Sequence, residues 1–141
     1  MSEFHFSGEE HRRFFYDCLK RSGSTDLYHQ VLFYTLGVSP DTRCYIEELF
    51  DFEENRIRPE GLHADWQTGG TTRLTRLAFN LWNGYTEPGS ERDSSPYWCF
   101  DCGFAPYMLE GIRLRYPEYC RDWVREDCRL NSQKLRKPPR R

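Results

Sequence analysis

At 141 residues the chain is the size of one domain, long enough to bury a core without disulfide or metal staples. Aromatic residues make up 16% of it and charged residues 30%, which excludes a disordered or low-complexity protein. The formal net charge of −2 hides an asymmetry: Arg129, Lys134, Arg136, Lys137, Arg140 and Arg141 form an acid-free end and leave 14 bases against 22 acids in the body, a balance that opposes non-specific nucleic-acid binding.

Phe4 and Phe6 alternate with polar residues and predict a short extended arm laid on the core. Ser7 with Glu10 three residues on reads as a capping box, opening a helix with apolar Phe14, Phe15, Cys18 and Leu19. Ser24, Thr25 and Asp26 open a second helix, through Leu27, Val31, Leu32, Tyr34 and Leu36, that is apolar on more than one side and so predicted to be central. Gly37 ends it. Ser39-Pro40 is an N-cap followed by proline at the first helical position, and predicts a third helix through Ile46, Leu49 and Phe50 with acidic Asp41, Glu47 and Glu48 outward. From Asp51 to Leu62 periodicity is lost, and an irregular crossing is expected up to His63, Asp65 and Trp66.

The most strongly patterned stretch follows. Gly69 and Gly70 read as a turn, Thr71 or Thr72 as a cap, and Leu74, Leu77, Ala78, Leu81 and Trp82 as a helical apolar stripe stopped by Gly84. The opposite face carries Arg73, Arg76, Asn80 and Asn83, which puts two guanidiniums near the free N–H groups of a helix start. Residues 86–95 read as a surface loop and the best place for disorder. Pro96 starts a short turn through Trp98 and Phe100. Pro106 opens a helix with Met108, Leu109, Ile112 and Leu114, and Pro117 interrupts it. A last helix with Tyr119, Cys120, Trp123, Val124 and Cys128 is expected next, and Pro138 and Pro139 mark a frayed end. The expected fold is therefore mainly α: one helical domain over residues 1–128 with about five helices, and a disordered basic tail over 129–141.

Several blocks of this chain resemble a family of small, uncharacterised proteins from phages and mobile elements of low-GC Gram-positive bacteria. They are EHRRFFYDCL, LFYTLG with the following DTR, LFDFEENRIRPEGL, WQTGGTTRLTRLAFNLWNGY and FAPYMLEGIRLRYPEYC, and together they cover most of residues 4–120. The resemblance implies a compact, mainly helical phage or prophage protein in the host cytosol and assigns no activity. Small accessory phage proteins often act on host defence, by blocking a defence protein or sequestering a nucleotide signal, and this is the functional setting it implies.

The candidate ligand site is the helix start: Trp66, Thr68, Gly69, Gly70, Thr71, Arg73 and Arg76. Free N–H groups, hydroxyls and guanidinium forks suit a phosphate or carboxylate, although the segment lacks the lysine and spacing of a P-loop. The competing reading is structural, with Thr71 as cap, the glycines as turn and both arginines paired with Glu47, Glu48, Glu53 or Glu54. The aromatic set Trp66, Trp82, Tyr85, Tyr97 and Trp98 is expected to be mostly core, with one or two residues lining a pocket.

His63 beside Asp65 is a base without a positioned nucleophile, and His5, His11 and His29 have no ligand spacing, so no catalytic residue is assigned. Cys99-x-x-Cys102 with Cys120 and Cys128 has the wrong second spacing for zinc, and Trp98, Phe100 and Phe104 interleave the pair with large apolar groups. No metal and no cofactor is expected. The absence of an apolar run of about 18 residues and of a leader pattern predicts a cytosolic protein with reduced thiols.

The expected function is a non-enzymatic protein that antagonises a host defence system by holding a phosphorylated small molecule. One alternative is an inhibitor that presents Glu47, Glu48, Glu53 and Glu54 to the basic channel of a defence nuclease. The other is a small enzyme built on Cys99 and His63.

Overall fold

The computed structural model describes residues 4–120 and is mainly helical. The predicted last helix and the basic tail lie outside the described residues. Among the described residues, six α-helices run in the order α1 (Glu9–Ser22), α2 (Leu27–Leu36), α3 (Pro40–Cys44), α4 (Gly69–Asn83), α5 (Pro96–Cys99) and α6 (Ala105–Arg115). Between α3 and α4 lies one antiparallel hairpin, β1 (Phe50–Asp51) with β2 (Arg56–Ile57), in the register Phe50 to Ile57.

α2 is the hub. Every residue from Val31 to Ser39 is buried, as expected of a helix apolar all round, and α1, α4 and α6 pack on it. It starts where the Asp26 carboxylate accepts the His29 N–H at 3.0 Å. At its end Gly37 is right-handed, with φ −83°. Close approach is what requires glycine here, because a Cβ would lie 2.7 Å from the His11 ring. The Phe4 and Phe6 arm packs edge-on and tilted against Phe15, at 4.7 and 5.4 Å between ring centres.

The capping box predicted at Ser7 does not form. Gly8 is the cap residue of α1, and the Ser7 N–H is spent on His11 Nδ1 at 3.0 Å. α3 begins as predicted, with Ser39 Oγ accepting the Asp41 N–H at 3.1 Å, but it stops at Cys44 and a 3₁₀ turn covers Ile46–Glu48. Phe50 is a strand residue and not the last helical one. The turn beyond it is built by Asp51, whose carboxylate accepts the Glu53 and Glu54 N–H groups at 3.0 Å each, and by Asn55 at φ 58°. These contacts turn the expected irregular crossing into a hairpin, and the Glu54 N–H foremost holds the Asp51 carboxyl below the usual range.

α4 lies along α2, and the predicted stripe of Leu74, Leu77, Ala78 and Leu81 is buried, with Trp82 half-buried. Thr71, Thr75 and Phe79 are buried as well, so the helix is covered well beyond that stripe. Gly84 ends it in the left-handed conformation at φ 78°, as predicted. In α6, Met108 and Leu114 are buried while Leu109 is 58% exposed, contrary to its expected core role. Gly111 lets α6 approach α2, since a Cβ there would sit 2.9 Å from the Thr35 hydroxyl. No helix among the described residues is long and apolar enough to cross a membrane.

Candidate functional site

The α4 start is capped one turn earlier than predicted. Thr68 Oγ1 accepts the Thr71 N–H at 3.1 Å, and Thr71 Oγ1 accepts the Thr68 N–H at 2.7 Å, a reciprocal box with threonine in the place usually held by Glu or Gln. Thr71 also donates to Gln67 Oε1 at 2.6 Å, so its hydroxyl is spent on the cap and unavailable to a ligand. Gly69 and Gly70 are the first helical residues and not a turn. Their N–H groups have no protein acceptor among the described residues, which leaves the positive end of a 15-residue helix unneutralised there.

Both glycines admit close neighbours. A Cβ on Gly70 would lie 3.3 Å from the Phe104 ring, and one on Gly69 would lie 3.2 Å from Arg73 Nη1. The Arg73 guanidinium therefore folds back over the helix start. Its Nε donates to the Trp98 carbonyl at 2.9 Å, and it has no carboxylate within ion-pair distance among the described residues.

Arg76 plays a different part. It is nearly buried and donates to Glu87 Oε1 at 2.8 Å, with Asp93 Oδ2 at 4.0 Å. His63 holds the other Glu87 oxygen, and that contact, foremost, keeps the Glu87 carboxyl below its ordinary range, with Arg76 adding to it. The structural reading of the arginines thus holds for Arg76, with Glu87 and Asp93 in place of the expected Glu47, Glu48, Glu53 or Glu54. These contacts order the segment read as a surface loop and the best place for disorder: Glu91–Ser94 form a 3₁₀ turn, Pro96 opens α5, and the Cys99 thiol donates to the Asp93 carbonyl at 3.2 Å. Arg76→Ala is expected to cost about 1–2 kcal/mol in urea unfolding and to speed hydrogen exchange over residues 87–95. A loss within experimental error would show that Arg76 is not the strut of this segment.

The ordered segment forms the far wall of a cleft of ≈ 370 Å³, lined by Thr68, Gly69, Thr72, Arg73 and Arg76 from α4 and by Asp93 and Trp98 opposite. Arg92 lies over the Trp98 indole at 5.0 Å, and Trp98 is 37% exposed. The size suits a small molecule, and the lining offers a cation, a helix start, an aromatic surface and a carboxylate. A wider groove of ≈ 600 Å³ between Phe4, Phe15, Leu19 and Gly23 is mostly apolar, with Lys20 at its edge.

Of the predicted site residues, Thr68, Gly69, Arg73 and Arg76 share the cleft, while Gly70 backs onto Phe104 and Thr71 is buried in the cap. Trp66 is elsewhere: it stacks on Tyr45 at 4.8 Å and donates its indole N–H to Glu48 at 2.9 Å. Trp82 and Tyr85 pack on Phe50 and Phe79, and Tyr97 is exposed, so Trp98 is the aromatic of the set that lines the cleft. Asp93, Glu87 and Arg92 were outside the predicted set.

Cys99 and His63 have other partners and make no hydrogen bond with each other. Cys99 is buried with its thiol pushed up to about 11, chiefly by burial, and His63 is held by Glu87. Cys102 Sγ lies against the Cys99 carbonyl and Met108, and no group of three or more His, Cys, Asp or Glu residues suits a metal among the described residues. Cys128 lies outside the described residues.

No curated protein and no solved structure matches the chain. The family described as "Family of unknown function (DUF6075)" matches residues 1–127, and the chain belongs to it.

Proposed function

We propose that this protein is a non-enzymatic binder of a small phosphorylated molecule, and that in a phage setting it antagonises host defence by holding a nucleotide signal. The observation that carries the reading is Arg73: a guanidinium without a carboxylate partner, folded over the unneutralised start of α4, in a cleft of ligand size. Oriented N–H groups and a planar fork are the donors that phosphate recognition uses. The acidic-face alternative has less support, because Glu47 is paired with Arg21, and the Glu48 carboxylate, though still charged, is oriented by the Trp66 indole.

Arg73 and not Arg76 is the residue to test. Arg73→Ala is expected to leave the unfolding midpoint nearly unchanged and to weaken capture of a phosphorylated probe by about tenfold or more. Ribose 5-phosphate in titration calorimetry is a suitable probe, beside mass spectrometry of small molecules released by heating protein purified from bacterial cells. Equal affinity of the two proteins for the probe would reject the site, and an intact complex with a defence protein in place of a released molecule would favour the inhibitor reading.

A further inference from the structure

The cleft brings together two chemically different groups, and the pair defines a ligand more closely than a phosphate alone does. The first is the Gly69 and Gly70 N–H groups with Arg73, and the second is the Asp93 carboxylate, steadied by Arg76 at 4.0 Å. Gly69 and Arg76 lie seven residues apart on α4, about 10 Å along its axis. Trp98 lines the same cleft, and its indole already takes one planar group, the Arg92 guanidinium.

We infer that the cleft takes a guanine mononucleotide, with the phosphate at the α4 start, the base against Trp98 and the Watson–Crick edge on Asp93. This rests on the phosphate-binding reading above. Selection then follows from what a carboxylate can do. A carboxylate only accepts hydrogen bonds, and Asp93 would offer its two oxygens side by side. Guanine offers two parallel donors, N1–H and the exocyclic N2–H. Adenine and cytosine each set a ring-nitrogen lone pair beside their amino donor, and that lone pair would face a carboxylate oxygen. Flat aromatic walls bind any base, so the discrimination falls to Asp93.

The test is calorimetry on the full chain with GMP, IMP, AMP and ribose 5-phosphate. GMP is expected to bind about tenfold or more tighter than AMP, and IMP, which keeps N1–H and lacks the 2-amino group, falls between them. Asp93→Asn replaces one acceptor oxygen with a donor. It is expected to collapse the preference for GMP over AMP while leaving the affinity for ribose 5-phosphate within about twofold. Equal binding of GMP, IMP and AMP, with ribose 5-phosphate still bound, would overturn the guanine assignment and leave the phosphate site standing. Failure of all four ligands to bind would overturn both.

Discussion

Acidification from pH 7 to pH 4 is expected to remove on the order of 3 kcal/mol of stability through His11 alone. His11 is fully buried, and loss of hydration holds its folded-state pKa at about 4 against an ordinary 6.5, with Arg43 adding a smaller push in the same direction. The hydrogen bonds explain why the neutral ring fits. Nε2 donates to the Tyr34 carbonyl at 2.8 Å, while Nδ1 accepts the Ser7 backbone N–H at 3.0 Å. A proton on Nδ1 would face that N–H donor to donor, and the Ser7 hydroxyl at 3.3 Å is a weak substitute acceptor. Phe6 and Tyr107 meet the ring edge-on and exclude water.

The folded pKa is depressed for a base, so between pH 6.5 and 4 the unfolded chain holds more protons than the folded one and stability falls as pH falls. Above pH 6.5 the contribution is constant. Urea unfolding from pH 7 down to pH 5 separates histidine titration from that of the Asp and Glu carboxyls, and a variant separates His11 from the other three histidines. The His11→Gln variant, less stable at pH 7 but without a titrating ring, is expected to flatten that slope. An unchanged slope in the variant would show that another group carries it.

Phe79→Ala is expected to cost about 3–5 kcal/mol, the range for emptying a fully buried aromatic site. Phe79 is 0% exposed and meets Tyr85 edge-on at 6.1 Å, on the side of α4 between the apolar stripe and the arginines. It joins the α2-facing core to the segment after Gly84, so the space cannot close without moving one of them. Against a typical total of about 5–15 kcal/mol, such a loss takes about a fifth of the stability or more. Guanidinium or urea unfolding with an unchanged m-value measures it, and a cost below about 1 kcal/mol would mean that the core collapses around the gap.

What was legible in the sequence was local. Asp26, Ser39-Pro40, Gly84 and Pro106 mark helix ends through contacts within a few residues, and each stands at the end it announces. The central place of α2 was equally plain, because Val31 to Leu36 leave no polar face. Local reading failed where two local signals compete. Ser7 has a glutamate three residues on but loses its N–H to His11, and Gly69-Gly70 look like a turn although Thr68, one residue earlier, is the better cap. Phe50 kept helical spacing yet was taken by pairing with Ile57, once Asp51 and Asn55 had built the turn.

The candidate site divides along the same line. Thr68, Gly69, Arg73 and Arg76 are neighbours on one helix face and were found together, whereas Asp93 and Trp98 arrive from a segment whose order depends on Arg76 reaching Glu87 eleven positions on. Trp66 was misplaced because nearness in sequence says nothing about which way the chain turns at Gln67, and Tyr45 and Glu48 hold it on the far side.

The burial of α2 has a consequence for how the chain is made. Its apolar surface leaves the ribosome well before its main partner, since Leu32 and Leu36 precede Leu74 and Leu81 by some forty residues. At synthesis rates of about 5–20 residues per second, this largely apolar segment waits several seconds for α4, shielded meanwhile by α1 and the Phe4–Phe6 arm. The early arm and first helix thus act as a temporary cover for the nascent chain.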